Sequence, residues 1–288
     1  MTAIKQSKAA SFAIITFVYL LATAVGIAVY LTLPLPWWLS LLIADVAATL
    51  ATFVFSVILS NASVYDPYWS VQPIVILLGF VIKNEVTLPR VLLLVAVCLW
   101  GLRLTANWAY TFGDLTHQDW RYSMLKEKTG RFYPVINLVG IHLVPTLVVW
   151  GCILPAIYAC LHTAALNAGF CLGILLCLLA VLLQGTADLQ MQRFRRRKTG
   201  GFIREGLWKH ARHPNYLGEL LMWWGVAIAV LCLFPTAWYL CAGALANTLL
   251  FCFVSIPMAE RRQAKKPGYE DYRAQTRVLL PLPRRKGK

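Results

Sequence analysis

The segment between residues 193 and 219 is the part of this 288-residue chain best suited to chemistry. It combines a run of arginines and lysines with Gly200, Gly201 and Gly206, which permit backbone geometry that other residues resist. His213-Pro214 then predicts the start of a helix, with proline at its first position. The free amides of a helix start attract phosphate oxygens, and Arg212 and the basic run would strengthen that attraction. We expect an anionic, phosphate-bearing ligand here, although a basic run alone is equally typical of a topology signal.

Two neighbouring apolar stretches carry polar residues four apart, a spacing that places them on one helical face. These residues are Gln184, Asp188 and Gln192 in the first stretch, and Asn215, Glu219 and Trp223 in the second. Such a face must lie against another helix or a wet cavity, because hydrocarbon cannot satisfy its polar groups. The sequence therefore predicts a polar cavity whose mouth is the basic segment.

Other ionisable residues inside apolar stretches are functional candidates, since a charge is costly there. They are Asp45, Arg103 and His142, with Asp66 at the edge of a stretch. Asp45 and His142 could simply pair with a neighbouring helix, and Arg103 could neutralise one of the aspartates. Tyr68 follows Asp66 closely, although an aromatic belt at the membrane interface would explain this tyrosine equally well.

Composition excludes a soluble domain, because 59% of the residues are hydrophobic and 14% are charged, against about 25% in soluble proteins. The net charge of +15 comes from 27 basic and 12 acidic residues. The basic residues lie between apolar stretches, which favours contact with anionic lipid headgroups over nucleic acid. None of the eight cysteines forms a CxxC pair, so we expect no metal site.

The elements that must position these residues are membrane-spanning helices, and the fold class is an all-α polytopic bundle of seven or eight spans. Eight spans would be residues 11–33, 38–60, 69–83, 88–112, 134–161, 167–192, 215–233 and 236–257. That count gathers nearly all loop and tail positive charges on one face, which predicts that both termini are cytoplasmic. We divide the chain into N-terminal helices at 1–60, a catalytic membrane domain at 61–282 and a basic, disordered tail at 283–288.

The stretch from Gly206 to Glu219 resembles the C-terminal signature of the steroid 5α-reductase superfamily. Ala187-Asp188-Leu-Gln190 and Pro267-Gly-Tyr-Glu-Asp-Tyr272 support the resemblance, which covers roughly residues 60–282. Asp119-Trp-Arg-Tyr122 is similar to a bacterial branch of membrane proteins of unknown function within that superfamily. The signature is specific for the superfamily and weak for the substrate.

The resemblance implies reduction by NADPH of a carbon–carbon double bond conjugated to a ketone, in a steroid-like or other lipophilic substrate. Asp66 would match the catalytic glutamate of the reductases, and the implied catalytic residues are Asp66, Tyr68 and Arg103. The implied cofactor-binding residues are Asp188, Gln190, Arg197, Arg212, His213, Asn215, Tyr216, Glu219 and Tyr272. We expect a monomer in a bacterial inner membrane, with its cofactor site on the cytoplasmic side.

The sequence departs from the reductases where they pair the glutamate with a tyrosine on the next helix, because Cys98-Leu-Trp-Gly-Leu-Arg103 holds no tyrosine. Tyr68 or Tyr110 could replace that proton donor. Two alternative functions stay open. One is an isoprenylcysteine-carboxyl-methyltransferase-like enzyme that uses S-adenosylmethionine, and the other is a lipid-binding or transport protein without chemistry.

Overall fold

The computed structural model describes residues 5–198 and 200–281. Eight helical stretches in this part of the chain are long and apolar enough to cross a membrane, which is the larger of the two predicted counts. The prediction of an all-α, polytopic helical bundle is confirmed, and the chain is a multi-pass membrane protein. The predicted basic tail at 283–288 lies outside the described residues.

The described residues form twelve α-helices, of which the last lies outside these stretches. Their bounds are α1 Lys8–Thr32, α2 Trp37–Ile58, α3 Tyr68–Lys83, α4 Leu88–Thr111, α5 Trp120–Thr129, α6 Tyr133–Ile136, α7 Val144–Leu161, α8 Ala168–Arg196, α9 Pro214–Leu233, α10 Ala242–Leu250, α11 Ile256–Gln263 and α12 Tyr269–Gln275. Short 3₁₀ turns precede α3 at Ala62–Tyr65 and α9 at Gly206–Lys209. Wider π-helical turns continue into α7 at Asn137–Leu143 and into α11 at Phe251–Ser255.

The helices form two compact units. The first comprises the described chain up to Val75 together with Leu104–Trp150, and the second comprises Ile76–Arg103 together with the described chain from Gly151 onward. In the first unit α1 packs against α2, and Ile15, Val18 and Ala22 bury one side of α1. The remaining apolar surface of a spanning helix can face lipid, which explains why so few residues of α1 are buried.

The second unit is built on close contact between α8 and α9. A Cβ atom added at Gly173 would lie 2.5 Å from the backbone nitrogen of Ala229, so only glycine permits this approach. Gly151 and Gly243 meet backbone to backbone in the same way, where α7 passes α10. Small residues at helix crossings are typical of membrane bundles, in which packing must replace the hydrophobic effect.

Helix ends in the second unit are fixed by polar side chains. Asn167 caps α8 by accepting a hydrogen bond of 2.8 Å from the amide of Phe170. Arg90 is buried at the end of α7, where its guanidinium donates to the carbonyl oxygens of Ala159 at 3.1 Å and His162 at 3.2 Å. This cation compensates the partial negative charge of a helix end, so its position is explained by capping.

Candidate functional site

Asp66 and Tyr122 form a buried acid–phenol pair in the first unit. Asp66 directly follows the 3₁₀ turn Ala62–Tyr65, and Tyr122 lies in the first turn of α5. The Tyr122 hydroxyl donates a hydrogen bond of 2.5 Å to Oδ1 of Asp66. The pair joins a carboxylate to a hydroxyl group within one short hydrogen bond, an arrangement suited to proton transfer.

Asp119 holds Tyr122 in place, because it caps the start of α5. Its Oδ1 accepts from the amide of Arg121 at 2.8 Å, and its own amide donates to the Ser63 hydroxyl at 2.8 Å. The second contact ties α5 to the turn that carries Asp66. The N-cap and first turn of α5, Asp119-Trp-Arg-Tyr122, therefore position the Tyr122 phenol beside Asp66.

Tyr68 lies on α3 and uses its hydroxyl elsewhere, donating to Oδ1 of Asp45 at 3.3 Å. Gln72, one helical turn further on, donates to Oδ2 of Asp45 at 2.6 Å. Asp45 thus pairs with a neighbouring helix, as one interpretation of the sequence expected. His142 contacts the same helix α2 through its ring, whose centroid lies 5.4 Å from that of Phe53, while its Nδ1 hydrogen bonds to the Asn137 carbonyl of its own helical segment at 2.9 Å.

Arg103 and Asp188 form an ion pair in the second unit. Nη1 of Arg103 lies 2.7 Å from Oδ2 of Asp188, and Nη2 donates to Oε1 of Gln184 at 2.9 Å. The expectation that Arg103 neutralises an aspartate is confirmed, and the aspartate is Asp188. The stripe that begins at Gln184 and Asp188 therefore faces a cation on α4.

Glu219 extends this polar chain into the interior of the second unit. Its carboxylate accepts hydrogen bonds from Gln184 at 2.7 Å, from Trp100 at 2.8 Å and from Trp223 at 2.8 Å. Gln184 links the two ends, since its amide oxygen faces Arg103 and its amide nitrogen faces Glu219. Three donors satisfy a carboxylate that burial would otherwise make costly.

A second charge cluster surrounds Glu260 on α11. Its Oε1 receives Nε of Arg212 at 2.9 Å, Nε2 of His213 at 2.7 Å and the Tyr269 hydroxyl at 2.8 Å. Arg212 also donates to the carbonyl oxygens of Arg273 and Thr276. Burial and the bond to Glu260 raise the pKa of Tyr269 above its ordinary value, so this phenol stays protonated.

Main-chain pairing extends the same cluster. The amide of Arg212 donates to the carbonyl of Arg277 at 2.9 Å, and the amide of His213 donates to that of Val278 at 3.0 Å. The C-terminal segment is therefore bound directly to the residues that precede α9. Arg212 and His213 both belong to the predicted cofactor set, and here they also organise the protein itself.

Three further residues of that set hold the loop between α8 and α9. Oε1 of Gln190 accepts from the amide of Leu207 at 2.9 Å, Arg197 pairs with Glu205, and the Tyr272 hydroxyl donates to the carbonyl of Trp208 at 2.5 Å. Gly206 lies against Gln190 with a φ of +58°, a close approach in the left-handed region that requires glycine. These contacts set the shape of the basic, glycine-bearing loop.

Among the predicted cofactor-binding residues, Asn215 is the one with a buried side-chain atom that forms no hydrogen bond within the described chain. It lies in the first turn of α9, which begins at Pro214 as predicted and has no side-chain cap. Its Oδ1 is buried and has no hydrogen-bond partner among the described residues. His213 stacks on Tyr216 beside it, with ring centroids 5.1 Å apart and planes 9° from parallel. This acceptor is therefore open to a donor group.

Sequence reasoning missed the partners of the acids. The sequence indicates Tyr122 only as part of a similar stretch, and it gives no role to Glu260 or Trp100. Each lies 47 to 119 residues from the group that it binds, so helical spacing offers no signal for them. Within the described residues, no three histidine, cysteine, aspartate or glutamate side chains are placed to hold a metal ion.

Residues 52–277 match the model of DUF1295, a family of proteins of unknown function. The matched range includes Asp66, Tyr122, Arg103 and the whole polar chain of the second unit. Asp45 and helix α1 precede it. No curated protein and no solved structure matches the chain.

Proposed function

The chain belongs to the DUF1295 family of unknown function, and we propose that it is a membrane-embedded, NADPH-dependent reductase of a conjugated carbon–carbon double bond. Its substrate would be a lipophilic enone, steroid-like or otherwise. The observation that carries this proposal is the hydrogen bond between Tyr122 and Asp66, because it supplies the phenol that Cys98–Arg103 lacks. The similarity of Gly206–Glu219 to the steroid 5α-reductases supports the same reaction class.

Reduction of an enone at its β-carbon leaves negative charge on the carbonyl oxygen, and a donor placed there lowers the barrier. In the proposal Asp66 is protonated and donates to the Tyr122 oxygen, which leaves the phenol proton free to point at the carbonyl oxygen. When Tyr122 transfers that proton, Asp66 returns its own proton to the phenolate. Asp119 fixes the direction of the phenol through the capping contacts of α5. The Asp66 side chain is shorter by one methylene than the glutamate of the reductases. In the proposal Tyr122, on α5, extends from Asp66 to the substrate oxygen.

NADPH, when bound, supplies the hydride for this reaction. Asn215 would hold its nicotinamide end, since the buried Oδ1 can accept a hydrogen bond from a carboxamide group. Exposed basic residues at the end of α8 would hold its phosphates, together with the uncapped start of α9. These residues are Arg193, Arg195 and Arg196.

In this proposal the remaining predicted cofactor residues hold the protein around the cofactor in place and do not contact the cofactor themselves. Arg212 donates to the Glu260 carboxylate and Tyr272 donates to the Trp208 carbonyl. Gln190 accepts from the amide of Leu207 in the glycine-bearing loop. Glu219, one turn beyond Asn215, is fixed by three donors and orients the first turns of α9. We infer that these residues shape the cofactor site and that Asn215 contacts the ligand.

Cofactor choice is tested by the thermal stability of the purified protein in detergent with NADPH, NADH or S-adenosylmethionine. We expect NADPH alone to raise the melting temperature, because a ligand that binds the folded state stabilises it. Asn215→Ala should remove this rise, whereas Asn84→Ala, which removes an amide outside both clusters, should keep it. A rise with S-adenosylmethionine alone would replace the proposal with a methyltransferase, and no rise with any of them would favour a lipid-binding protein.

Proton donation is tested by NADPH oxidation with a panel of lipophilic enones. Tyr122→Phe should lower kcat by about 10²–10⁴ while KM changes little, since the lost contact strengthens only in the transition state. Tyr158→Phe, which removes a phenol elsewhere, is the matched control. If Tyr68→Phe has the large effect and Tyr122→Phe does not, the donor has been assigned to the wrong tyrosine.

A further inference from the structure

A second polar region lies in the first unit along one side of α2. Asp45, Thr49, Thr52 and Ser56 follow one another at spacings of four, three and four residues, and all four are at least 96% buried. Such spacing places them on one helical face, over about 16 Å of the axis. Asp45 and Thr49 precede the segment that matches the family. A buried polar face inside a membrane-spanning helix needs partners, because lipid offers none.

Part of that need is met by other helices. The Thr49 and Thr146 hydroxyls lie 2.9 Å apart, and Thr146 lies 2.8 Å from the Tyr65 hydroxyl. Thr52 donates to the Ala48 carbonyl of its own helix at 3.1 Å. These groups are satisfied, and they connect the two ends of the face.

The end at Asp45 has a surplus of acceptors. Gln72 is 93% buried, and its amide nitrogen donates to Oδ2 of Asp45 at 2.6 Å. This orientation leaves Oε1 of Gln72 buried and unpaired. Among the described residues Asp45 receives hydrogen bonds from Gln72 and Tyr68, whereas a carboxylate can accept about four.

The other end repeats the pattern. His142 has no exposed surface and donates through Nδ1 to the Asn137 carbonyl, which makes Nε2 an unprotonated acceptor in the neutral ring, and Nε2 is unpaired. Asn137 donates to the Ser56 hydroxyl at 3.3 Å, because that hydroxyl already donates to Phe53. Oδ1 of Asn137 is therefore the third buried acceptor without a partner.

We propose that the Asp45 end of this face is a binding site for a lipophilic alcohol, whose hydroxyl group donates to the unpaired Oε1 of Gln72. In Gln72 the donor is engaged and the acceptor is open, so the missing partner must be a donor. An ether, ester or ketone brings only acceptors and would leave Oε1 unpaired. The apolar walls of α1 and α2 favour a hydrocarbon body over a soluble polyol.

The site is tested with a long-chain alcohol that carries a diazirine in its chain, cross-linked to the purified full-length protein in detergent. Labelled peptides are expected from residues 45–56 and 68–72. Oleyl alcohol should compete at least about tenfold more strongly than oleyl methyl ether, the loss expected when a buried acceptor loses its donor. Equal competition by the two compounds, or labelling confined to other helices, would overturn the proposal.

Variants add a second measurement. Gln72→Leu should weaken competition by oleyl alcohol about tenfold and leave the ether unchanged, whereas Thr52→Val, on the same face but satisfied by its own helix, should change neither. If Gln72→Leu does not fold, the comparison of alcohol and ether on the unaltered protein still decides. The test does not use NADPH, so the reductase proposal can fail while this site stands, and the reverse.

Discussion

Buried carboxylates are treated differently in the two units. In the second unit Asp188 binds Arg103, Glu219 accepts from three side chains, and Glu260 is shared by Arg212 and His213. In the first unit Asp45 and Asp66 receive hydrogen bonds from phenol and amide groups, and within the described residues neither forms an ion pair. A carboxylate that has an ionic partner, or three donors as Glu219 has, is held rigidly, whereas one with fewer donors, all of them neutral, can still exchange its proton or bind a ligand.

This difference suggests that the buried carboxylates of the second unit stabilise the fold and that those of the first unit take part in binding or proton transfer. The second unit uses charge to fix its helices and the glycine loop, and Oδ1 of Asn215 in the first turn of α9 is among its unpaired acceptors. The first unit leaves a carboxylate–phenol pair and three acceptors without ionic partners. We therefore expect substitutions in the second unit to act mainly on stability, apart from those at Asn215 and the basic residues at the end of α8, and substitutions in the first to act mainly on binding and turnover.

The largest loss of stability is expected for Glu219→Ala. Removing this carboxylate leaves the donors of Trp100, Gln184 and Trp223 buried without partners, at a cost of about 3–5 kcal/mol. The free energy of unfolding is measured by denaturant titration in detergent micelles. Glu127→Ala, at an exposed position on α5, is the control and should change it little. A loss below that of the control would show that the polar chain does not hold the second unit.

The Arg103–Asp188 ion pair should give the next largest effect. In a double-mutant cycle with Arg103→Gln and Asp188→Asn, we expect a coupling energy of about 2 kcal/mol, since the two side chains are largely buried and 2.7 Å apart. The cycle uses the same unfolding measurement. Additive single effects would mean that the pair contributes no more than solvent does, and the contrast between the units would weaken.

Tyr122→Phe should cost less stability, about 1 kcal/mol, because Asp66 loses one neutral hydrogen bond and no ionic partner. This substitution sharpens the comparison, since the same change should reduce turnover far more than it reduces stability. A loss as large as that of Glu219→Ala would instead make the pair a structural element.

The smallest effect is expected for Arg197→Ala. Arg197 and Glu205 form an ion pair whose side chains are 50% and 53% exposed, so water screens it and the loss should be about 0.5 kcal/mol or less. The unfolding free energy and the NADPH-dependent thermal shift are read together. A normal fold with a lost NADPH shift would assign Arg197 to the ligand, as the sequence first suggested.

Much of the architecture follows from local patterns. Runs of about 20 apolar residues predict spanning helices, Pro214 marks the start of α9, and the four-residue spacing of Gln184 and Asp188 predicts their common face. All of these are confirmed. The third span begins earlier than predicted, because the turn Ala62–Tyr65 joins it. Such a turn adds no apolar periodicity by which it could be recognised.

Pairing between distant residues is a different matter. The spacing on α8 identified a stripe but could not reveal that Arg103 binds Asp188, and nothing near Asp66 indicated Tyr122. The polar face of α2 was also hidden, since serine and threonine are tolerated in apolar helices when they bond to their own backbone. Only the partners from other helices distinguish Thr49 from Thr52.

The amino-acid sequence by itself determined the membrane character, the helical class and the position of a basic, glycine-bearing loop before α9. Those properties depend on hydropathy, periodicity and backbone freedom, which act over a few residues. The tertiary structure decided which acid faces which donor: Asp66 with Tyr122, Asp188 with Arg103, Glu219 with two tryptophans. Hydrogen bonds act over about 3 Å, and which groups come that close is settled only when the helices pack.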